Sequence, residues 1–283
     1  MNFLQRIFGS AEESPEEKKK ETEARQFDAL KYDGIAALKI GQVDYAVTCF
    51  SHALQLQDDL EIHDHLSVAY IHQNQMANAV NELRLLADAQ PDNQAVWVRM
   101  ARVCYMMEDY DQMAEACERA EAVGAGSAEV SYLYAEARQG QGDKEAAVAL
   151  LGEAIARDEH HGAAYLLRGQ ILMEMDRLEE AETDADYLLE HADLEEDIVL
   201  LKARIAHRGG DQQKAVEWYG RVIDTNPFCL AAFRETQLSE ADAATAAELE
   251  PKEMADISDG QSAEGIEQKT KEAYKNTLNP FGL

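Results

Sequence analysis

The chain has few prolines, few cysteines, about half as many basic as acidic residues and no long apolar run. Each shortage excludes something. With five prolines and sixteen glycines in 283 residues, a turn-rich β architecture is disfavoured, and recurring alanine, glutamate, leucine and glutamine favour helix. Cys49, Cys104, Cys117 and Cys229 are too sparse, and lack the close CxxC spacing, for a disulfide or zinc framework, so a reducing compartment is expected. No apolar stretch approaches the roughly 18–20 residues that span a bilayer, so no transmembrane segment is expected. The opening MNFLQRIF runs straight into EESPEEKKKE without the apolar core of a secretory signal. Together these features predict a cytoplasmic protein. Twenty-six basic against fifty-five acidic residues leave a charge of −29, most of it between residues 27 and 238. A field of that sign repels phosphate backbones and anionic headgroups, which argues against nucleic acid and against electrostatic membrane binding. A phosphate-binding glycine loop, a nucleophile elbow and a paired metal motif are all missing, so neither catalysis nor a cofactor is expected.

What is present is a period. Alanine-centred segments recur at Ala46, Ala79, Met113, Ala147, Ala181 and Ala215, at separations of 33, 34, 34, 34 and 34 residues. Taken as one point of a repeating unit, they tile the chain as 27–59, 60–93, 94–127, 128–161, 162–195 and 196–229. Within each unit apolar residues recur at helical spacing on both sides of a short central break, which predicts two helices. The breaks include GQVDYA from Gly41, EDYDQM from Glu108, GDKEAA from Gly142, DRLEEA from Asp176 and GDQQKA from Gly210. Glycine there suits a helix C-terminus needing positive φ, and a following acid such as Asp143 or Asp211 suits the cap of the next helix. Loops this short make the two helices antiparallel.

The unit resembles the tetratricopeptide repeat over residues 27–229. Its small eighth-position residues are Gly34, Ser67, Ala101, Ala135, Gly169 and Ala203, and its twentieth-position residues are the alanine series with Met113. Phe50, Leu83, Cys117, Leu151 and Tyr219 are the larger partners at the twenty-fourth position, where Ala185 is undersized. Leu30, Trp97 and Tyr165 fill the bulky fourth position, against which His63 and Ser131 are departures; the closing proline is present only at Pro91 and Pro227. The resemblance implies an all-α, right-handed solenoid of about six tandem repeats. Such an array needs a polar cap, for which 230–250 is the candidate, beginning with Leu230, Ala231 and Phe233. The acidic run from Glu240 to Asp259 reads as a linker within a 251–283 tail, with a short helix near Ala263 to Lys275. At the other end, 1–26 reads as a charged segment whose Phe3, Leu4, Ile7 and Phe8 would share one face of a short amphipathic helix.

The resemblance also implies a concave groove lined by the first helix of each unit. Its positions here are His65, Val68, His72, Arg99, Arg102, Tyr105, Met106, Tyr132 and Glu136 in the centre, with Arg204, His207 and Arg208 in the last unit. Arg99 and Arg102 beside Tyr105 and Tyr132 could bind a carboxylate while the rings pack an apolar side chain; alternatively they pair with nearby acids such as Glu136. Of the five clamp residues by which some members hold chaperone tails, only Lys31 and Arg99 match, with Ile35, His65 and Ala95 at the other three. His63 and His65 point to different helix faces and His65 and His72 lie about 10 Å apart, which disfavours a metal site. The family implies that Cys104 and Cys117 pack together as buried thiols. The expected role is a non-catalytic adaptor that binds a peptide or helix of a cytoplasmic protein. The competing expectation is a self-assembling homo-oligomer, or a chain regulated by its own acidic tail.

Overall fold

The computed structural model describes residues 14–124, 126–191 and 196–229, together with 231, 232 and 235. The expected amphipathic start, acidic linker and final helix lie outside the described residues, as does most of the expected 230–250 cap. Among the described residues the secondary structure is twelve α-helices and no strand. They fall into two compact units, the first ending at Asp143 and the second beginning at Lys144. The division falls inside the expected fourth repeat.

Unit 1 contains α1 (Pro15–Lys39), α2 (Val43–Leu56), α3 (Leu60–His72), α4 (Met76–Ala89), α5 (Gln94–Met106), α6 (Tyr110–Val123) and α7 (Ala128–Gly140). Unit 2 contains α8 (Lys144–Arg157), α9 (Gly162–Glu174), α10 (Leu178–His191), α11 (Glu196–Arg208) and α12 (Gln212–Thr225). Helices α3, α5, α7, α9 and α11 each begin 34 residues after the last. Helix α1 reaches back through the charged segment to Pro15. There Ser14 accepts from the Glu17 amide while the Glu17 carboxylate accepts from the Ser14 amide, which satisfies two otherwise orphaned donors.

The turn between paired helices has one backbone solution throughout. Gly41, Asn74, Glu108, Gly142, Asp176 and Gly210 all have positive φ, between 56° and 84°. At each of them the amide bonds the carbonyl three residues back, and the next amide bonds the carbonyl five residues back, as in Gly41 to Leu38 and Gln42 to Ala37. These bonds satisfy the last carbonyls of the first helix. The following Asp109 and Asp211 then accept from the amides of Gln112 and Lys214, capping the second helix.

Small residues set how closely the paired helices approach. Ala46, Ala79, Met113, Ala147, Ala181 and Ala215 are all 0% exposed, and the eighth-position residues are buried as well. A Cβ at Gly34 would lie 2.5 Å from the ring of Phe50, so the ring occupies the space a side chain would need. Phe50, Leu83, Cys117, Leu151, Ala185 and Tyr219 are buried, and the space beside small Ala185 is filled from other helices by Leu172, Leu201 and Ile205. Buried polar groups are tied. Arg168 donates to both oxygens of buried Asp184, at 2.8 and 2.6 Å, and buried Lys202 reaches Glu182 and Asp186 at 3.0 and 2.6 Å.

Candidate functional site

In unit 1 the residues singled out for binding stand on α3, α5 and α7. Arg99 and Arg102, three residues apart on α5, are near neighbours on the helix surface. They are engaged by different acids. Arg99 donates to the Asp64 carboxylate of α3 and, at 3.3 Å, to the Ser67 hydroxyl, whereas Arg102 donates to Glu129 of α7. Lys31 on α1 is held in the same way by Asp59 at 2.9 Å and Glu61 at 2.7 Å, where α3 begins. The cations of the first helices thus tie each such helix to the next. Sequence reasoning found the cations and missed these acids.

Tyr105, Met106 and Tyr132 are half-buried beside the arginines, and His72 is exposed at the end of α3. His65 stacks on Phe50 with ring centroids 5.5 Å apart and an interplanar angle of 9°, its Nε2 lying 3.8 Å from Glu61. Glu136 is buried, and burial pushes its carboxyl up to about 7 despite a hydrogen bond from Tyr132. His63, the departure at the fourth position, is buried between Glu82 at 2.5 Å and Asp58 at 2.9 Å. Burial alone would lower its basicity, but the two carboxylates more than reverse this and raise it. A polar residue thus replaces an aromatic one by bringing its own counter-charges. Burial pushes the Cys104 thiol up to about 11 and Cys117 to about 12, so neither is a ready thiolate.

In unit 2, Arg204 and Arg208 stand one turn apart on α11. Arg204 grips Glu235 through three contacts of 2.6 to 3.1 Å, and the Tyr219 hydroxyl donates to the same carboxylate at 3.0 Å. Arg208 donates to Asp176 at 2.5 Å and to the Glu174 carbonyl at 3.4 Å. With Met173 and His207 these residues line a cavity of about 440 Å³. The Nδ1 atom of His207 is shielded from solvent and has no hydrogen-bond partner among the described residues. Met173, Tyr219 and Glu235 are the lining residues that sequence reasoning left out of this site, whereas His207 was among its groove positions. Tyr219 was assigned only a packing role, because its hydroxyl contact depends on a residue beyond the last period.

No protein-family model matches the chain, and no curated protein does. Solved structures do. A protein from Pseudomonas aeruginosa described as pilF is 16% identical, covering 77% of this chain and 100% of its own, with a TM-score of 0.58. PilW, described as a widely conserved type IV pilus biogenesis factor, is 16% identical over 75% of this chain and 97% of its own, at 0.59. YrrB, described as a tetratricopeptide-repeat protein with an unusual peptide-binding site, is 16% identical over 66% of this chain and 97% of its own, at 0.56. The antiparallel hairpins, the small residues buried between them and these likenesses agree: the chain has the tetratricopeptide-repeat fold.

Proposed function

We propose that this chain is a non-catalytic adaptor which binds a peptide or helix of a cytoplasmic protein on the face formed by α3, α5 and α7. One observation carries the reading. Arg99 and Arg102 sit side by side on α5 with side chains 20% and 32% exposed, and the acids holding them, Asp64 and Glu129, are more exposed at 42% and 49%. The Arg102–Glu129 pair is exposed and such pairs contribute only about 0–1 kcal/mol, so a partner's carboxylate can replace Glu129 at small cost, while the Arg99–Asp64 pair is partly buried. Tyr105, Met106 and Tyr132 supply amphipathic and adaptable apolar surface beside the charges. Among the described residues no helix is long and apolar enough to cross a membrane. The −29 charge argues against nucleic acid as the partner.

The test is quantitative capture from native cytoplasm with the full chain and with an Arg99→Glu, Arg102→Glu variant whose fold is checked by circular dichroism. Loss of specific partners at unchanged helicity is the expected outcome. Capture of the same proteins at the same strength by both chains would remove the site.

A further inference from the structure

The cavity in unit 2 holds a carboxylate that belongs to the chain itself. Glu235 is bound by the planar fork of Arg204 and by the Tyr219 hydroxyl, a donor set shaped to a carboxylate. Two further groups at the cavity are not committed to Glu235. Arg208, 44% exposed, is held by Asp176, which is itself 72% exposed, so that tie is easily exchanged. His207 presents a shielded, unpartnered ring nitrogen. Beside these polar groups Met173 offers a soft apolar wall. The cavity of about 440 Å³ is thus lined by one arginine that already holds the Glu235 carboxylate and by a second that does not.

From this arrangement we infer that the cavity is a second binding site, for the carboxylate side chain of an acidic peptide segment, with Glu235 as the placeholder that the incoming carboxylate displaces from Arg204 and Tyr219. The occupant is a carboxylate because Glu235 already shows the group that these donors accept. It is a peptide side chain because the cavity, about 440 Å³ and open to solvent, is wider than one carboxylate needs and has Met173 in its lining. The inference rests on the adaptor reading for its biological sense, but the site lies on α9, α11 and α12 and is chemically separate from the arginines of α5. Because the placeholder is tethered, it competes at high effective concentration, and the site is partly closed until a partner supplies more than one carboxylate.

The experiment uses the full chain and a fluorescently labelled oligoglutamate peptide, with an oligoglutamine peptide of equal length as control, read by anisotropy at physiological ionic strength, where the repulsion from the −29 charge is screened. Glu235→Gln removes the competing charge, and hydrogen bonds to charged groups are strong enough that the oligoglutamate should bind about tenfold more tightly to this variant. Adding Arg208→Gln should abolish the gain. Arg208→Gln alone, at an exposed position, should weaken binding to the otherwise unchanged chain, which keeps the test decisive if Glu235→Gln perturbs folding. Equal affinity of the unchanged and Glu235→Gln chains, indifference to Arg208→Gln, or equal binding of the oligoglutamine peptide would each overturn the inference. Failure here with partner capture still dependent on Arg99 and Arg102 would remove only this second site. Loss of that capture dependence with the oligoglutamate result intact would remove only the first.

Discussion

At Gly34 the absence of a side chain is itself a packing requirement, because the Phe50 ring stands where a Cβ would go and is 0% exposed. Gly34→Ala should therefore lower stability by about 1–3 kcal/mol, the usual cost of overpacking. Equilibrium denaturation should show part of that loss recovered when Phe50→Leu is added, and purely additive effects would deny the contact. Glu136 makes a different prediction. Its carboxyl titrates at about 7 in the fold against an ordinary value of 4.5, so the folded chain holds a proton that the unfolded chain has released. Stability contributed by that proton is intact below about 4.5 and is lost as pH rises through about 7. His63, raised above its ordinary 6.5 by Glu82 and Asp58 despite burial, acts in the same direction: its contribution is intact below 6.5 and is lost as pH rises through its higher folded value. Glu136→Gln should flatten the acid-to-neutral dependence and raise stability at pH 8 by on the order of 2 kcal/mol. A variant whose pH profile matched that of the unchanged chain would show that Glu136 is ionised without penalty.

At the scale of the hairpin, geometry is more uniform than residue identity. Glycine occupies three of the six left-handed turn positions, while Asn74, Glu108 and Asp176 adopt the same conformation with a side chain. For an ordinary L-residue that conformation costs roughly 1–2 kcal/mol, with asparagine and aspartate tolerating it best. Glu108, exposed and the least suited of the three, is the place to test this. Glu108→Gly should raise stability by about 1 kcal/mol, and Gly41→Ala, where a Cβ would meet nothing within 4 Å, should lower it by a similar amount through backbone strain alone. Denaturation midpoints of the two variants should move in opposite directions. The same contrast explains what was legible in the sequence. The buried alanine series announces helix pairing because small residues, present at all its positions but Met113, permit a close approach, and the period survives the replacement of a turn glycine. The partners of the cations were not legible. Asp64, Glu129 and Glu235 reach Arg99, Arg102 and Arg204 across 35, 27 and 31 residues, and in a chain with 55 acids no pattern distinguishes these three from the rest. His63 looked like a defect in an aromatic position until Glu82 and Asp58 supplied its counter-charges.

For the whole chain, charge balance decides how salt acts. Even if every lysine and arginine were paired with an acid, 29 acids would remain without such a partner, and their mutual repulsion is relieved by screening. The surface ion pairs weaken with salt too, but each contributes little. Repulsion should win, so thermal scans from low to physiological ionic strength should show a rising midpoint, and a fall would mean that the ties between first helices outweigh the net charge. The recurring turn has one further consequence. Since a single backbone path is kept whether glycine, asparagine, glutamate or aspartate stands at its left-handed position, the hairpins can diverge in letter while remaining interchangeable in shape. What the hairpins have in common is therefore held in their torsion angles more than in their side chains.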